Sequence, residues 1–147
     1  MADRAQHVEE VILPSLAKGV IVLCDRFNDS TVAYQGGARG FCSSFVKELC
    51  SFACQGLEPH LTLYLDLDPE VGFQRAKKAG FVKDRIESED LTFHQRIREA
   101  FREISKEEPH RFSILDASKQ AQEVFLSAKE KIDALIEPKN DSGRWRK

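Results

Sequence analysis

Short apolar runs alternate along the chain with longer stretches whose apolar residues have helical spacing. Residues 20–24 form an uninterrupted, β-branched apolar run that predicts a buried parallel strand. Similar runs predict strands over 61–67 and 112–116. Helical spacing predicts helices over 3–18, 43–55, 88–107 and 119–136, and a further helix begins at Pro69. This alternation indicates an α/β fold with a mostly parallel sheet.

Two details of these helices can be checked against a structure. Pro14 is expected to kink or shorten the first helix, because it lacks a backbone N–H. The last helix is expected to turn one apolar face inward, formed by Val124, Phe125, Ala128, Ile132 and Leu135.

The composition is that of one soluble globular domain. The chain has 147 residues, of which 41% are hydrophobic and 31% charged. We assign residues 1–137 to the domain and 138–147 to a polar basic tail. The net charge of −2 gives no general argument for binding nucleic acid or a membrane. No apolar stretch is long enough to span a bilayer and the amino terminus does not resemble a signal peptide, so we expect the cytoplasm.

The cysteines indicate reduced thiols and no metal site. Cys24, Cys42, Cys50 and Cys54 include no Cys-x-x-Cys pair, and the histidines are scattered. We expect mostly buried thiols, with Cys24 in a core strand; a structural zinc site is the less favoured alternative.

The segment after the 20–24 run carries the densest chemistry. It lies where a parallel strand ends, which is where ligands bind in open α/β sheets. Arg26 offers a planar guanidinium suited to phosphate, and Asp25 can orient it or face a metal. Thr31, Tyr34 and Gln35 can form hydrogen bonds with a flat heterocycle. Gly36 and Gly37 let a loop turn or approach a neighbour closely. The plainer interpretation of the whole segment is a strand followed by a polar loop with a solvated arginine.

A second polar segment, residues 75–85, is rich in basic residues. It contains five cations in eleven residues, interrupted by Gly80. It is either a solvated helix end whose cations complement the helix dipole, or a lid that closes over phosphates and excludes water.

The motifs together resemble the thymidylate kinase family. The resemblance rests on Asp25-Arg26-Phe27, Ser30-Thr31 and Ala33-Tyr34-Gln35-Gly36, and on the strand from Leu61 to Asp66. His60 stands where the family usually has Asp. The resemblance covers Ala2 to about Ile136 and implies a P-loop-kinase-like, three-layer α/β fold with a parallel sheet.

The resemblance also implies roles for individual residues. Arg26 would clamp the acceptor phosphate and Asp25 would order this centre. Arg4, Thr31 and Gln35 would read the thymine edge with Ser30 as support, and Tyr34 would wall the sugar side. For Arg4 the alternative is a surface salt bridge with glutamates. The lid candidates for ATP are Arg75, Lys77, Lys78 and Arg85. The implied reaction converts ATP and dTMP to ADP and dTDP with Mg²⁺, in a homodimer.

One family feature is missing from the sequence. A P-loop kinase needs Gly-x-x-x-x-Gly-Lys-Ser/Thr, and no glycine here is followed by lysine. We therefore expect the carboxyl-terminal portion of a thymidylate kinase without its N-terminal strands, including the central P-loop strand, through truncation, a late start codon or a split gene. Residues 20–24 and 61–67 should then expose backbone edges and apolar faces, and the chain should be marginally stable, self-associate or need a complementing piece.

Activity of this chain alone should be weak or absent. A non-catalytic nucleotide-binding remnant is the alternative function. A nucleic-acid binder would rest on Arg39, the 75–85 cations and residues 144–147, but the net acidic charge and the lack of a binding motif disfavour it.

Overall fold

The computed structural model describes residues 1–80 and 90–136. This part of the chain contains the strands β1 (Thr62–Asp66) and β2 (Phe112–Asp116). The two strands pair in parallel, with Thr62 opposite Phe112 and Asp66 opposite Asp116. The helices are α1 (Ala2–His7), α2 (Leu13–Ala17), α3 (Asn28–Thr31), α4 (Ser43–Ala53), α5 (Pro69–Lys78), α6 (Leu91–Glu107) and α7 (Ala121–Ile136), and π-helical segments span Val8–Ile12 and Val32–Ala38. The prediction of an α/β fold with a parallel sheet is confirmed; the three-layer arrangement stays a prediction.

The first predicted helix forms, but it changes geometry midway. Helix α1 continues through the π-helical segment Val8–Ile12 into α2, whose second residue is Pro14. Proline has no N–H to donate to the preceding turn, which accounts for a wider turn directly before it. The π-helical segment buries Val8 and Ile12.

Residues 28–38 form a helix, so the prediction that this part of the motif is a loop was wrong. Helix α3 runs directly into the π-helical segment Val32–Ala38, and we call the two together the 28–38 helix. A Cβ atom on Gly37 would lie 2.3 Å from the Cβ of Ala100 on α6. Glycine therefore does permit a close approach here, but it is the approach of one helix to another.

The core lies where the 28–38 helix packs against α4, α6 and the start of β2. Its buried members are Val32, Ala33, Ala38, Val46, Cys50, Phe93, Ile97, Ile104 and Phe112. A smaller cluster of Val8, Ile12 and Cys54 holds the first helical stretch, with Val22 and Phe27 packed against it. The larger cluster, which includes Phe112, fixes the 28–38 helix relative to the strands.

Residues 20–24 do not form the predicted strand. The segment has no strand partner among the described residues, and Leu23 is 96% exposed. An extended segment becomes a strand only when a neighbour accepts and donates its backbone hydrogen bonds. Cys24 is likewise exposed instead of lying in a core strand. Leu65 of β1 is 57% exposed, so the prediction that both segments leave apolar groups uncovered is confirmed.

Helix α7 also leaves apolar surface uncovered. It packs against β2, yet Phe125 and Ile132, both predicted to face inward, are exposed. A helical apolar face is buried only if a second layer lies opposite it, and the two-stranded sheet is too narrow to cover this one. No helix in residues 1–80 and 90–136 has the length and apolar character needed to cross a bilayer.

Candidate functional site

Arg4 joins the first helix to the 28–38 helix. Its Nη1 donates to Asn28 Oδ1 at 3.0 Å and to Thr31 Oγ1 at 2.6 Å. Its guanidinium carbon also lies 5.4 Å from the centre of the Phe27 ring. Among the described residues Arg4 pairs with no carboxylate, so the alternative of a surface salt bridge with glutamates is not what forms. Arg4 and Thr31, both predicted site residues, are therefore in direct contact.

Arg26 lies over the ring of Tyr34. The guanidinium carbon is 4.7 Å from the ring centre, which is cation–π geometry. The backbone of Arg26 has φ of 65°, in the left-handed region that residues with a Cβ rarely adopt. Strained backbone of this kind is concentrated at functional sites. Arg26 is exposed to solvent, so an anion can reach its guanidinium.

The other predicted motif residues take different positions. Ser30 and Gln35 are half-buried on the 28–38 helix, and Gln35 Oε1 accepts a hydrogen bond of 3.4 Å from Arg39 Nη1. Asp25 is exposed and forms no ion pair with Arg26, although both are described. The idea that Asp25 orients Arg26 directly therefore has no support in this conformation.

The lid candidates divide into three groups. Arg75 donates to the backbone oxygens of Ala117 at 2.8 Å and Ser118 at 3.1 Å, and so ties α5 to the loop after β2. Lys77 and Lys78 are exposed at the end of α5. Arg85 lies outside the described residues.

A cavity of about 500 Å³ brings a motif residue and a lid residue together. Its lining includes Tyr34 and Lys77, and also Phe73 of α5 and His94 of α6. Tyr64 also lines the cavity, and burial raises the pKa of that phenol to about 12. The space suits a molecule with a flat apolar part and an anionic end, because aromatic walls and a cation line the same cavity.

A charged network that was not predicted from the sequence lies at the carboxyl end of β1. Arg98 on α6 donates from Nε to Asp66 Oδ1 at 2.8 Å and from Nη1 to Asp68 Oδ2 at 2.8 Å. Arg102 Nη2 donates to Asp66 Oδ2 at 2.8 Å. The hydrogen bonds from Arg98, aided by Arg102, hold the pKa of Asp66 below its ordinary value. The sequence did contain a sign of this network: two acidic residues, Asp66 and Asp68, at the end of a predicted strand, and two arginines four positions apart on one predicted helix.

A second missed group lies at the amino ends of the strands. The Asp29 carboxylate accepts hydrogen bonds of 2.9 Å from both Nη1 and Nη2 of Arg111, and both residues are buried. Thr62 Oγ1 donates to the same carboxylate at 2.8 Å. The signal was an acidic residue inside the motif itself, but its partner is 82 positions away.

The cysteines are unpaired, and burial differs among them. Cys50 and Cys54 are buried, whereas Cys24 and Cys42 are exposed, so the expectation of mostly buried thiols held for two of the four. Burial raises the pKa of the Cys50 thiol. Within residues 1–80 and 90–136 no group of three or more His, Cys, Asp or Glu side chains is placed to hold a metal ion, and no described residue is assigned as a ligand.

Comparison with known proteins agrees with the motifs. The thymidylate kinase family model matches residues 1–128. A thymidylate kinase of Desulfovibrio desulfuricans is 48% identical over 142 residues, which are 92% of this chain and 65% of that protein. Those of Protochlamydia amoebophila and Carboxydothermus hydrogenoformans are 45% and 47% identical, over 90% and 92% of this chain.

The chain corresponds to only part of these relatives. It spans 62% to 65% of the length of these three relatives. The match nonetheless takes in the whole Asp25–Gly37 motif, both strands and the start of α7. On the extent of the family match and the level of identity, the chain belongs to the thymidylate kinase family.

Proposed function

We propose that this chain carries the dTMP-binding half of a thymidylate kinase. That enzyme transfers the γ-phosphoryl group of ATP to dTMP, giving ADP and dTDP for dTTP biosynthesis. The observation that carries the proposal is the contact of Arg4 with Thr31 beside the stacking of Arg26 on Tyr34. Thr31 and Tyr34 lie on the 28–38 helix and each contacts an arginine, so this helix and its two arginines offer groups that a pyrimidine monophosphate requires.

Each part of dTMP has a chemical counterpart among these residues. The Arg26 fork is the natural partner of the acceptor phosphate, because guanidinium binds phosphate with two parallel hydrogen bonds. Arg4, Thr31 and Gln35 supply donors and acceptors for the thymine edge, with Ser30 beside them. Tyr34 presents a ring that disfavours a ribose 2′-hydroxyl by its bulk. We assign Asp25 to ordering this centre, through contacts that form with substrate bound.

The transfer step needs alignment and neutralisation more than covalent chemistry. An oxygen of the dTMP phosphate attacks the γ-phosphorus of ATP, and the bond from that phosphorus to the β,γ-bridging oxygen breaks as ADP leaves. Arg26 opposes the charge repulsion between the two anions and holds the attacking oxygen in line. We place Arg75, Lys77, Lys78 and Arg85 on the ATP side, where Arg75 already contacts the loop after β2.

The ATP side is incomplete in this sequence. The chain lacks the Gly-x-x-x-x-Gly-Lys-Ser/Thr loop whose backbone N–H groups and lysine cradle phosphates. Mg²⁺ would neutralise charge on the ATP phosphates, and the Ser/Thr of that loop would help to hold it. We therefore propose little or no turnover by these 147 residues alone. The same absence favours the second candidate, a nucleotide-binding module without catalysis.

Calorimetric titration with dTMP and with UMP tests the binding proposal. We expect dTMP to bind more tightly than UMP, and Arg26→Ala to weaken dTMP binding at least tenfold through loss of the phosphate partner. Lys106→Ala removes an exposed cation that pairs with Glu103, and it should leave both affinities unchanged. Equal affinity for the two nucleotides, or no effect of Arg26→Ala, would contradict the proposal.

A coupled ADP-release assay separates the kinase from the binding module. We expect no turnover above background with ATP, Mg²⁺ and dTMP. Turnover that Arg26→Ala abolishes would show that the chain is catalytic without a P-loop.

The setting of the whole enzyme is also a proposal. We propose a cytoplasmic homodimer, with no nucleic-acid or membrane partner. Exposed aromatic side chains along α4 support self-association, since Phe45 is 55% and Phe52 87% exposed.

A further inference from the structure

The buried ion pair between Asp29 and Arg111 involves the helix that carries residues of the candidate dTMP site. Asp29 is 7% and Arg111 9% exposed, and two hydrogen bonds of 2.9 Å join them. Asp29 belongs to α3, whereas Arg111 immediately precedes β2. Thr62, the first residue of β1, donates to Asp29 at 2.8 Å and lies 3.3 Å from Arg111 Nη1. One carboxylate therefore ties the 28–38 helix to the amino ends of both strands.

The same short helix carries the groups assigned to thymine. Asn28 and Thr31 flank Asp29 and accept both hydrogen bonds from Arg4. Further along, Tyr34 lines the 500 Å³ cavity together with Leu67, which lies past the carboxyl end of β1. The 28–38 helix thus runs alongside the strands from the ion pair to the cavity. A rotation or slide of this helix would displace Thr31, Tyr34 and Gln35 together.

Stability alone does not explain a charged pair at this place. Taking two ions out of water costs about as much as their attraction returns, and well-packed apolar residues of similar volume are often as stable. Arg111 Nε is also buried without a hydrogen bond, its nearest carboxylate oxygens being on Glu108 at 3.7 Å and Glu58 at 4.0 Å. The ion pair fixes the relative orientation of Asp29 and Arg111, because a bidentate hydrogen-bonded pair has one preferred geometry. Apolar packing does not impose such an orientation.

We propose that Asp29, held by Arg111 and Thr62, is a positioning residue that sets the place of the 28–38 helix and thereby the preference of the site for dTMP over UMP. Asp29 touches no substrate in this account; it acts through Thr31, Tyr34 and Gln35. The inference rests on the proposed function, since it concerns the selectivity of the same site.

The decisive variant replaces the pair by apolar groups. Asp29→Leu combined with Arg111→Met removes both charges together, so it leaves no buried ion unpaired. We expect a melting temperature close to that of the unaltered chain, a roughly tenfold weaker affinity for dTMP and a dTMP-to-UMP ratio near one. Glu58→Gln is the matched control, because it alters a charge beside Arg111 without touching the 28–38 helix, and it should change neither affinity.

Thr62→Val provides a second test if the double variant folds poorly. It removes one hydrogen bond to Asp29 and leaves the ion pair in place, so we expect a two- to threefold lower dTMP-to-UMP ratio with little change in melting temperature. Amide hydrogen exchange should show faster exchange over residues 28–38 and unchanged exchange in β2.

The outcomes separate the two proposals. If the unaltered chain prefers dTMP and the double variant keeps both affinity and preference, Asp29 is merely structural and the positioning role is overturned. Should the double variant fold poorly, an unchanged ratio in Thr62→Val overturns it equally. If the unaltered chain binds neither nucleotide, the proposed function fails, and the positioning role fails with it.

Discussion

The left-handed backbone of Arg26 gives a prediction in which two variants differ in stability but lose dTMP binding equally. Among the described residues with a Cβ, Arg26 at φ 65° and Gln55 at φ 54° share this conformation. For a residue with a Cβ it costs about 1–2 kcal/mol, because the Cβ crowds the following carbonyl oxygen. Glycine avoids that cost and loses about 0.5–1 kcal/mol more backbone entropy on folding. The Arg26→Gly variant should therefore be about 0.5–1 kcal/mol more stable than Arg26→Ala.

Both variants lose the guanidinium, so both should lose dTMP binding equally. Comparing them cancels the lost cation–π contact with Tyr34 and isolates the backbone term. The free energy of unfolding is measured by urea titration followed by circular dichroism. For a chain of this size the difference amounts to about 1–4 °C in melting temperature.

Gln55 offers a matched control at the end of α4. Gln55→Gly should exceed Gln55→Ala in stability by a similar amount, while dTMP affinity stays that of the unaltered chain. If the Gly and Ala variants at position 26 unfold at the same urea concentration while those at 55 differ, Arg26 is not strained in solution. If Arg26→Ala binds dTMP normally, Arg26 is not the phosphate ligand.

Three further predictions concern charge, association and the lid. The pKa of Asp66 lies below its ordinary 3.8, so its ionised form stabilises the fold fully above pH 3.8 and progressively less as the pH falls through the folded-state pKa. Asp66→Asn should then cost about 1–2 kcal/mol at pH 7, with the gap to the unaltered chain narrowing below pH 3.8 in urea titrations; a gap independent of pH would refute this. Phe52→Ser should lower self-association in sedimentation velocity without lowering the melting temperature, because this side chain is 87% exposed; an unchanged sedimentation coefficient would exclude that face. Arg75→Met removes hydrogen bonds to Ala117 and its neighbour, so it should weaken ATP binding about three- to tenfold and leave dTMP binding intact; equal loss for both nucleotides would show a general structural effect.

The contacts among several predicted site residues follow from their local spacing in the sequence. Thr31, Tyr34 and Gln35 have three- and four-residue spacing, so a helix places them on neighbouring positions even though a loop was predicted. Arg4 was assigned to this group by resemblance, and its hydrogen bonds to Asn28 and Thr31 now place it there. The grouping of these residues did not depend on whether residues 28–38 form a loop or a helix, because their short sequence separation keeps the side chains near one another in both.

The partner of Asp29 could not be read in the same way. Arg111 is 82 positions away and precedes an ordinary strand, so no spacing rule connects the two. Arg98 and Asp66 likewise meet because α6 packs across the carboxyl end of β1. Pairs of this kind depend on how elements dock, and docking is absent from a one-dimensional pattern.

By itself the sequence determined the periodicity of most helices and of two strands, the grouping of charged and hydrogen-bonding side chains between Asp25 and Gln35, and the lack of a Gly-x-x-x-x-Gly-Lys-Ser/Thr motif in these 147 residues. Only the tertiary structure decided which apolar runs become strands. Residues 112–116 pair with β1 and form β2, whereas residues 20–24, which are more apolar, have no strand partner among the described residues and are largely exposed. The reason is physical: hydrophobicity states what a segment would gain by burial, but the backbone hydrogen bonds and the opposing surface must come from elsewhere in space.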